Sequence, residues 1–203
     1  MEYEIKDGNG YINEYYNDGT IKFEGEYLNG ERNGKGKDYN YSGKLEFEGE
    51  YLNGKKWNGK RKEYYNNCKL RFEEEYLNGK INAKEYNYDG TIKFEGEYLN
   101  GERNGKGKEF YYDGRLRFEG EYLNGERFGK GKEYFYDGKL EFEGEYLYGE
   151  RNGKGKEYYY NGTLEFEGEY LNDERNGKGK VYNYDGSIRF EAEFLNDIGI
   201  KKL

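Results

Sequence analysis

Between Leu140 and Tyr146 the chain reads LEFEGEY, with Leu140, Phe142, Gly144 and Tyr146 alternating with Glu141, Glu143 and Glu145. A period of two predicts a β-strand with one aromatic face and one charged face. The pattern opens on Phe23, Phe47, Phe72, Phe94, Phe118, Phe142, Phe166 and Phe190, at intervals of 24, 25, 22, 24, 24, 24 and 24 residues. Each Phe is followed four residues later by an aromatic and preceded by two by an aliphatic. Such self-similarity marks a repeat architecture. After each strand comes a Gly-bearing turn, such as Leu147 to Asn152. A second segment then runs from Gly153 to Tyr160 and closes at Asn161-Gly162, a hairpin-turn dipeptide. Short turns force antiparallel neighbours. The expected fold is all-β: an elongated, single-layer, twisted antiparallel meander of tandem β-hairpin repeats. About sixteen strands at ~4.8 Å each would span roughly 75 Å. The expected organisation is a single array over 1–203. It comprises an N-terminal half-repeat at 1–22, repeats at 23–46, 47–71, 72–93, 94–117, 118–141, 142–165 and 166–189, and a C-terminal partial repeat or cap at 190–203.

The second strand carries an aromatic triplet whose flankers recur, as in Tyr39/Tyr41, Phe110/Tyr112, Tyr134/Tyr136 and Tyr158/Tyr160. Its middle position varies among Asn40, Asn87, Tyr111, Phe135, Tyr159 and Asn183. The flankers are therefore expected on the packed face and the middle residue in solvent. Gly153 and Gly155 lie at odd spacing from Tyr158, so a bulge is expected near Lys156-Glu157. Glycines on the aromatic face would let neighbouring rings lie flat over bare backbone. The run GERNGKGK (residues 101–108) lacks the spacing, the Ser or Thr and the following helix of a phosphate-binding P-loop, and it recurs. It reads as a turn plus the start of a strand.

Composition changes this picture in two ways. Mean hydropathy is −1.38 and the apolar fraction 33%, which alone would suggest disorder, but 27 Tyr and 12 Phe supply the burial that folding needs. A net charge of −8 argues against nucleic acid as a partner. There is no His, so no His-based triad or His-containing zinc site, and the lone Cys68 excludes an intrachain disulfide. Glu pairs such as Glu141/Glu143 recur on a solvated face facing Lys-rich second strands; cross-strand Glu–Lys pairs, such as Glu145 with Lys154 or Lys156, are expected, not a glycosidase dyad. No enzyme, cofactor or metal is expected. MEYEIKDGNG (residues 1–10) holds no apolar run for a signal peptide, and no stretch could span a bilayer as a helix, so a soluble cytoplasmic protein is expected.

The pattern F-E-G-E-Y-x-N-G-x-x-x-G-K-G-x-x-x-Y-x-D-G resembles MORN (membrane occupation and recognition nexus) repeats. Its long second strand and YYxDGxLxFEGEY register look most like the MORN variant repeats of bacterial antitoxin-like proteins. The resemblance runs from about Gly19 to Leu195. It implies a twisted sheet of successive hairpins used as a scaffold, linked to membranes in some members and binding peptide segments along a groove in others. It brings no catalytic residues. Glu74 and Ala192 replace the strand Gly, Asn82 and Ala83 stand where Gly-Lys-Gly would be, and Asp173 and Asp197 replace the turn Gly.

The expected function is a non-catalytic scaffold that binds a peptide or helix of a protein partner along an aromatic groove, anchored by Tyr98, Tyr122, Tyr146 and Tyr170. The alternative is a peripheral membrane or phosphoinositide binder. Its candidate site is KKWNGKRK (residues 55–62), where Trp57 stands among Lys55, Lys56 and Arg61 and anionic lipid headgroups would be the ligand. An antitoxin-like immunity role is a narrower case of the scaffold. A monomer or weak homodimer is expected.

Overall fold

Two kinds of tight turn set the fold. Asn29-Gly30 has both residues at positive φ (54° and 80°), and the pattern repeats at Asn53-Gly54, Asn100-Gly101 and Asn124-Gly125. This is the type I′ geometry whose twist matches that of paired strands. At the other end of each hairpin a longer turn closes with one glycine at positive φ. There the Tyr111 N–H donates to the Arg115 carbonyl (2.8 Å) and the Gly114 N–H to the Tyr111 carbonyl (2.9 Å). Cys68 occupies this glycine's place at φ 62° and is exposed.

The protein is described by a computed structural model covering residues 8–202. Residues 1–7 of the expected half-repeat and residue 203 of the expected cap lie outside the described residues. Contacts divide the chain into two compact units, Met1–Gly90 and Thr91–Leu203. The first holds β1 (Gly10–Tyr15), β2 (Ile21–Leu28), β3 (Glu31–Tyr39), β4 (Leu45–Leu52), β5 (Lys55–Tyr64), β6 (Leu70–Leu77) and β7 (Lys80–Tyr86). The second holds β8 (Ile92–Leu99), β9 (Glu102–Phe110), β10 (Leu116–Leu123), β11 (Glu126–Tyr134), β12 (Leu140–Leu147), β13 (Glu150–Tyr158), β14 (Leu164–Leu171), β15 (Glu174–Tyr182), β16 (Ile188–Leu195) and β17 (Ile198–Lys202). Within each unit every strand pairs antiparallel with its neighbours in sequence, as expected for a meander of hairpins. The described residues contain no helix.

Register corrects three expectations. The turn after β12 is only Tyr148-Gly149, so Glu150, Arg151 and Asn152 already belong to β13. Gly144 pairs with Gly155 and Tyr146 with Arg151, so Asn152, Gly153 and Lys154 oppose Glu145 alone. Three residues against one preserve parity. Arg151, Gly155 and Glu157 therefore share the aromatic face, and Tyr158 turns to the charged face, where its hydroxyl donates to Glu143 (2.8 Å). A second irregularity does lie near the expected place, but its extra residue is Glu165 on β14: Glu157 pairs with Phe166 and Tyr158 with Leu164.

Candidate interaction surface

A single layer has no second sheet to cover its rings, yet Phe118 is 0% exposed. Its cell is built within one layer. The floor is Gly120 and Gly131, paired across strands, where an added Cβ would lie 2.6 Å from Phe118 Cζ. This is the flat ring over bare backbone expected from the glycine spacing. The walls are Tyr122 and Tyr146, edge-on at centroid distances of 5.8 and 5.2 Å. The roof is the Arg127 guanidinium, 4.0 Å from the ring centroid. Arg103, Arg151 and Arg175 cover Phe94, Phe142 and Phe166 in the same way. In the first unit Arg32 covers Phe23 at 3.8 Å and Lys56 covers Phe47 at 4.6 Å.

The roof arginines are linked by carboxylates that sequence reading left unassigned. Arg127 bridges Glu109 (2.7 Å) and Glu133 (2.6 Å); Arg151 bridges Glu133 and Glu157. Arg175 continues from Glu157 to Glu165 (3.0 Å). Burial pushes the Glu109 carboxyl up, but the hydrogen bond and charge of Arg127, the Tyr122 hydroxyl and Arg103 outweigh it and hold it below the usual carboxylate range. Each charge has two partners, which offsets the several-kcal/mol cost of taking it from water. Stacking on Phe adds about 0.5–2 kcal/mol per arginine.

The four expected groove anchors are consumed by this arrangement. Tyr98, Tyr122, Tyr146 and Tyr170 are only 3–8% exposed, because Tyr122, Tyr146 and Tyr170 each wall two Phe cells and the roof closes over them. The Tyr122 hydroxyl donates to Glu109 (2.8 Å), whereas those of Tyr146 and Tyr170 are buried without a hydrogen bond. The expected open groove over these rings is replaced by a sealed core.

The basic segment is also largely committed. The Trp57 ring lies against the turn at Gly79, where an added Cβ would sit 3.1 Å from Cζ3. Lys56 pairs with Asp38 (3.3 Å), Lys60 with Glu75 (3.4 Å) and Lys62 with Glu73 (3.3 Å). Arg61 pairs with Glu63 and Glu74. Lys55 is exposed. The opposite face of the sheet is the expected field of Glu and Lys, with pairs such as Lys132–Glu143 and Lys180–Glu191. Glu145, expected to pair with a lysine ammonium, accepts instead from the Lys154 backbone N–H (3.2 Å). No group of carboxylates or cysteine among the described residues is arranged to hold a metal ion.

Aromatic surface is exposed elsewhere, along the long-turn edge. In the second unit Tyr112, Tyr136, Tyr160 and Tyr184 are 51–79% exposed, against the expectation that these flankers pack inward. The middle residues lie beneath them. Tyr111 contacts Tyr136 at 5.3 Å, Phe135 contacts Tyr160 at 4.7 Å, and Tyr159 stacks on Tyr184 at 4.3 Å. The hydroxyls of Tyr111 and Tyr159 donate to the carbonyls of Tyr134 and Tyr182 (both 2.8 Å), which fixes the lower rings. Arg115 lies 4.6 Å over the Tyr136 ring and pairs with Asp113; Lys139 lies 5.3 Å over Tyr160 and pairs with Asp137. The signal in the sequence was that the third aromatic immediately precedes Asp-Gly or Asn-Gly and so stands in the turn.

The MORN repeat profile matches residues 23–37, 94–114, 118–139, 142–164 and 166–188, more than half of the chain, and the MORN repeat variant profile matches 32–53. The chain belongs to the MORN repeat family. MORN repeats are a non-catalytic repeat family whose members commonly mediate protein or membrane-lipid interactions. No curated protein matches this MORN chain significantly. One solved structure with a similar chain is selenomethionine-substituted virginiamycin B lyase from Staphylococcus aureus. It is 13% identical, the match covers 95% of this chain and 72% of that one, and the TM-score is 0.18, too low to carry any argument. No helix among the described residues is long and apolar enough to cross a membrane.

Proposed function

We propose that this MORN chain is a non-catalytic scaffold that binds a partner protein along the long-turn edge of its second unit. The observation that carries the reading is the row Tyr112, Tyr136, Tyr160 and Tyr184: four exposed rings at one repeat position, three of them resting on a ring from the preceding repeat. Large exposed aromatics in register mark interaction surfaces, and rings already held in place lose little freedom on binding. The membrane alternative has less behind it, because Lys56, Lys60, Arg61 and Lys62 each already face a carboxylate. An antitoxin-like role would be one case of the same scaffold.

The test compares quantitative affinity capture by the parent protein, by Tyr112→Ser/Tyr136→Ser/Tyr160→Ser/Tyr184→Ser, and by the opposite-face control Lys130→Ser/Lys154→Ser/Lys178→Ser. Sedimentation with phosphatidylserine and phosphoinositide vesicles runs in parallel. The expected result is a partner retained by parent and control and lost by the tyrosine variant, with no vesicle binding. Equal retention by the tyrosine variant refutes the edge as the site. Vesicle binding that Lys55→Ser weakens would establish the membrane reading instead.

A further inference from the structure

We infer that the occupant of this edge is a proline-rich segment in the polyproline II conformation, with a basic residue at the end that lies against Asp185. This inference rests on the protein-scaffold reading above and names its partner class.

The spacing of the tyrosines is the first argument. Successive rings are one repeat, two strands, apart, which at ~4.7–4.9 Å per strand is about 9.4–9.8 Å. A polyproline II helix presents the same face every third residue, at about 9.3 Å. Over the three intervals from Tyr112 to Tyr184 both ladders cover roughly 28–29 Å, so they stay in step. An α-helix offers its closest same-face spacing at seven residues, about 10.5 Å, and drifts out of step by roughly 2–3 Å over the same run. A β-strand three residues along, about 10 Å, presents the opposite face.

Chemistry is the second argument. A polyproline II backbone makes no internal hydrogen bonds, so its carbonyls need external donors. The exposed phenols of Tyr112, Tyr160 and Tyr184 supply donors along the row, while that of Tyr136 is engaged by Asp113. Two residues after each ring, in the same turn, stand Gly114, Gly138, Gly162 and Gly186, where an added Cβ would meet nothing within 4 Å. Open backbone beside exposed rings is a surface that proline rings can enter. Aromatic-lined grooves are the general means of recognising this helix, whose order costs little to impose.

Charge gives the direction. Asp113 is balanced by Arg115 (3.1 Å) and Asp137 by Lys139 (2.9 Å), and the third turn carries the uncharged Asn161 and Thr163. The fourth turn has Asp185 followed by Ser187, whose N–H and hydroxyl donate to the carboxylate at 2.9 and 2.5 Å and hold it below its usual range without neutralising it. One uncompensated negative charge therefore stands at the Tyr184 end of the row. An Arg or Lys of the ligand belongs there.

The experiment titrates the full chain, by calorimetry and by amide chemical shifts, with acetyl-decaproline, with decaproline carrying Arg at either end, with a glycine-serine peptide and with an amphipathic helical peptide. Expected are saturable decaproline binding at or below about 1 mM and a several-fold gain from Arg at one end only. Asp185→Asn should remove that gain. Tyr112→Ser, the change at the most exposed ring, and Tyr136→Ser/Tyr160→Ser should each weaken binding, the latter at least about tenfold, with the strand circular dichroism signal intact at the assay temperature. Absence of saturable decaproline binding, equal binding of the glycine-serine peptide, or indifference to the tyrosine variants overturns the inference. Tyrosine-dependent binding of the helical peptide alone also overturns it while leaving the scaffold reading intact. A gain from Arg that survives Asp185→Asn overturns the assigned direction. If the capture experiment itself shows no dependence on the four tyrosines, the scaffold reading fails first.

Discussion

Raising the pH should unfold the second unit abruptly, because its wall tyrosines cannot ionise in place. Burial and the charges of Glu109, Glu133 and Glu157 push Tyr122, Tyr146 and Tyr170 far above 10. In the unfolded chain each ionises near pH 10. Above that value the unfolded state binds fewer protons than the folded state, so stability falls as pH rises. Each tyrosine costs about 1.4 kcal/mol at pH 11 and about 2.7 at pH 12, so the three together cost about 4 and 8 kcal/mol. Domain stabilities are about 5–15 kcal/mol, so the loss becomes decisive between roughly pH 11 and 12. The assay is absorbance of tyrosinate near 295 nm with circular dichroism recorded on the same samples. Exposed tyrosines should titrate first, followed by a steep step that coincides with loss of strand signal. Tyr122→Phe/Tyr146→Phe/Tyr170→Phe should move that step to higher pH. A single smooth titration centred near 10 with the strand signal intact through pH 12 would refute the sealed cells.

Phe118→Ala should lower stability by about 3–5 kcal/mol in urea melts, since the ring is fully enclosed. Phe135→Ala should cost only about 1–2 kcal/mol, because its ring is half-buried against Tyr160. Tyr122→Phe should cost about 1 kcal/mol by removing the hydrogen bond to Glu109, while Tyr146→Phe, which discards an unsatisfied hydroxyl, should be neutral or stabilising. Glu109, with its pKa lowered, should contribute stability that is fully present above the ordinary carboxylate range and lost as pH falls through the lowered value. Glu109→Gln should flatten that acid limb of the stability profile, measured by melts between pH 6 and 2, and an unchanged limb would remove Glu109 from the ladder's energetics.

The first strand of the regular repeats was legible, because Phe, Gly and Tyr alternate with Glu and nothing interrupts the period. The second strand was half legible. Gly155 was rightly placed beneath a ring, with Gly153 instead in the bulge against Glu145, but Arg151 was assigned to a turn and Tyr158 to the packed face. Both errors follow from ranking residues by hydrophobicity. Tyr158 is comfortable on a charged face because Glu143 takes its hydroxyl, and Glu157 is comfortable on the aromatic face because two arginines take its carboxylate. A better signal was spacing: Arg103, Arg127, Arg151 and Arg175 share parity with Gly107, Gly131, Gly155 and Gly179, and Glu109, Glu133 and Glu157 follow six residues after their arginines. Tyr98, Tyr122, Tyr146 and Tyr170 are buried where an open groove was expected, for a related reason. A sheet without a second layer leaves its rings open only until the long reach of arginine closes over them.

The departures from the repeat show which part of the cell controls the rest. Where Ala192 replaces the floor glycine, Phe190 is only half-buried and lies nearly parallel to Phe194, at 6.4 Å and 23°, unlike the edge-on pairs of the regular repeats. Where Glu74 and Ala83 face each other in place of Gly and Gly, Phe72 is likewise only half-buried, and the Glu74 carboxylate is satisfied by Arg61 (3.3 Å) and the Tyr76 hydroxyl (2.9 Å). The same repeat is the 22-residue one, and its β6–β7 pairing runs without any register shift, so the missing two residues are those of the wide bulge. In both repeats a side chain on the floor and the loss of the roof arginine accompany the looser ring. In the regular cells an added Cβ at floor positions such as Gly107 or Gly155 would lie 2.5 Å from the Phe ring, so no side chain fits without moving it. Glycine pairs and roof cations therefore go together where Phe is sealed, and in those cells the strand tyrosines are walls. The tyrosines left exposed are those that the hairpin turns hold beyond the reach of the roof arginines.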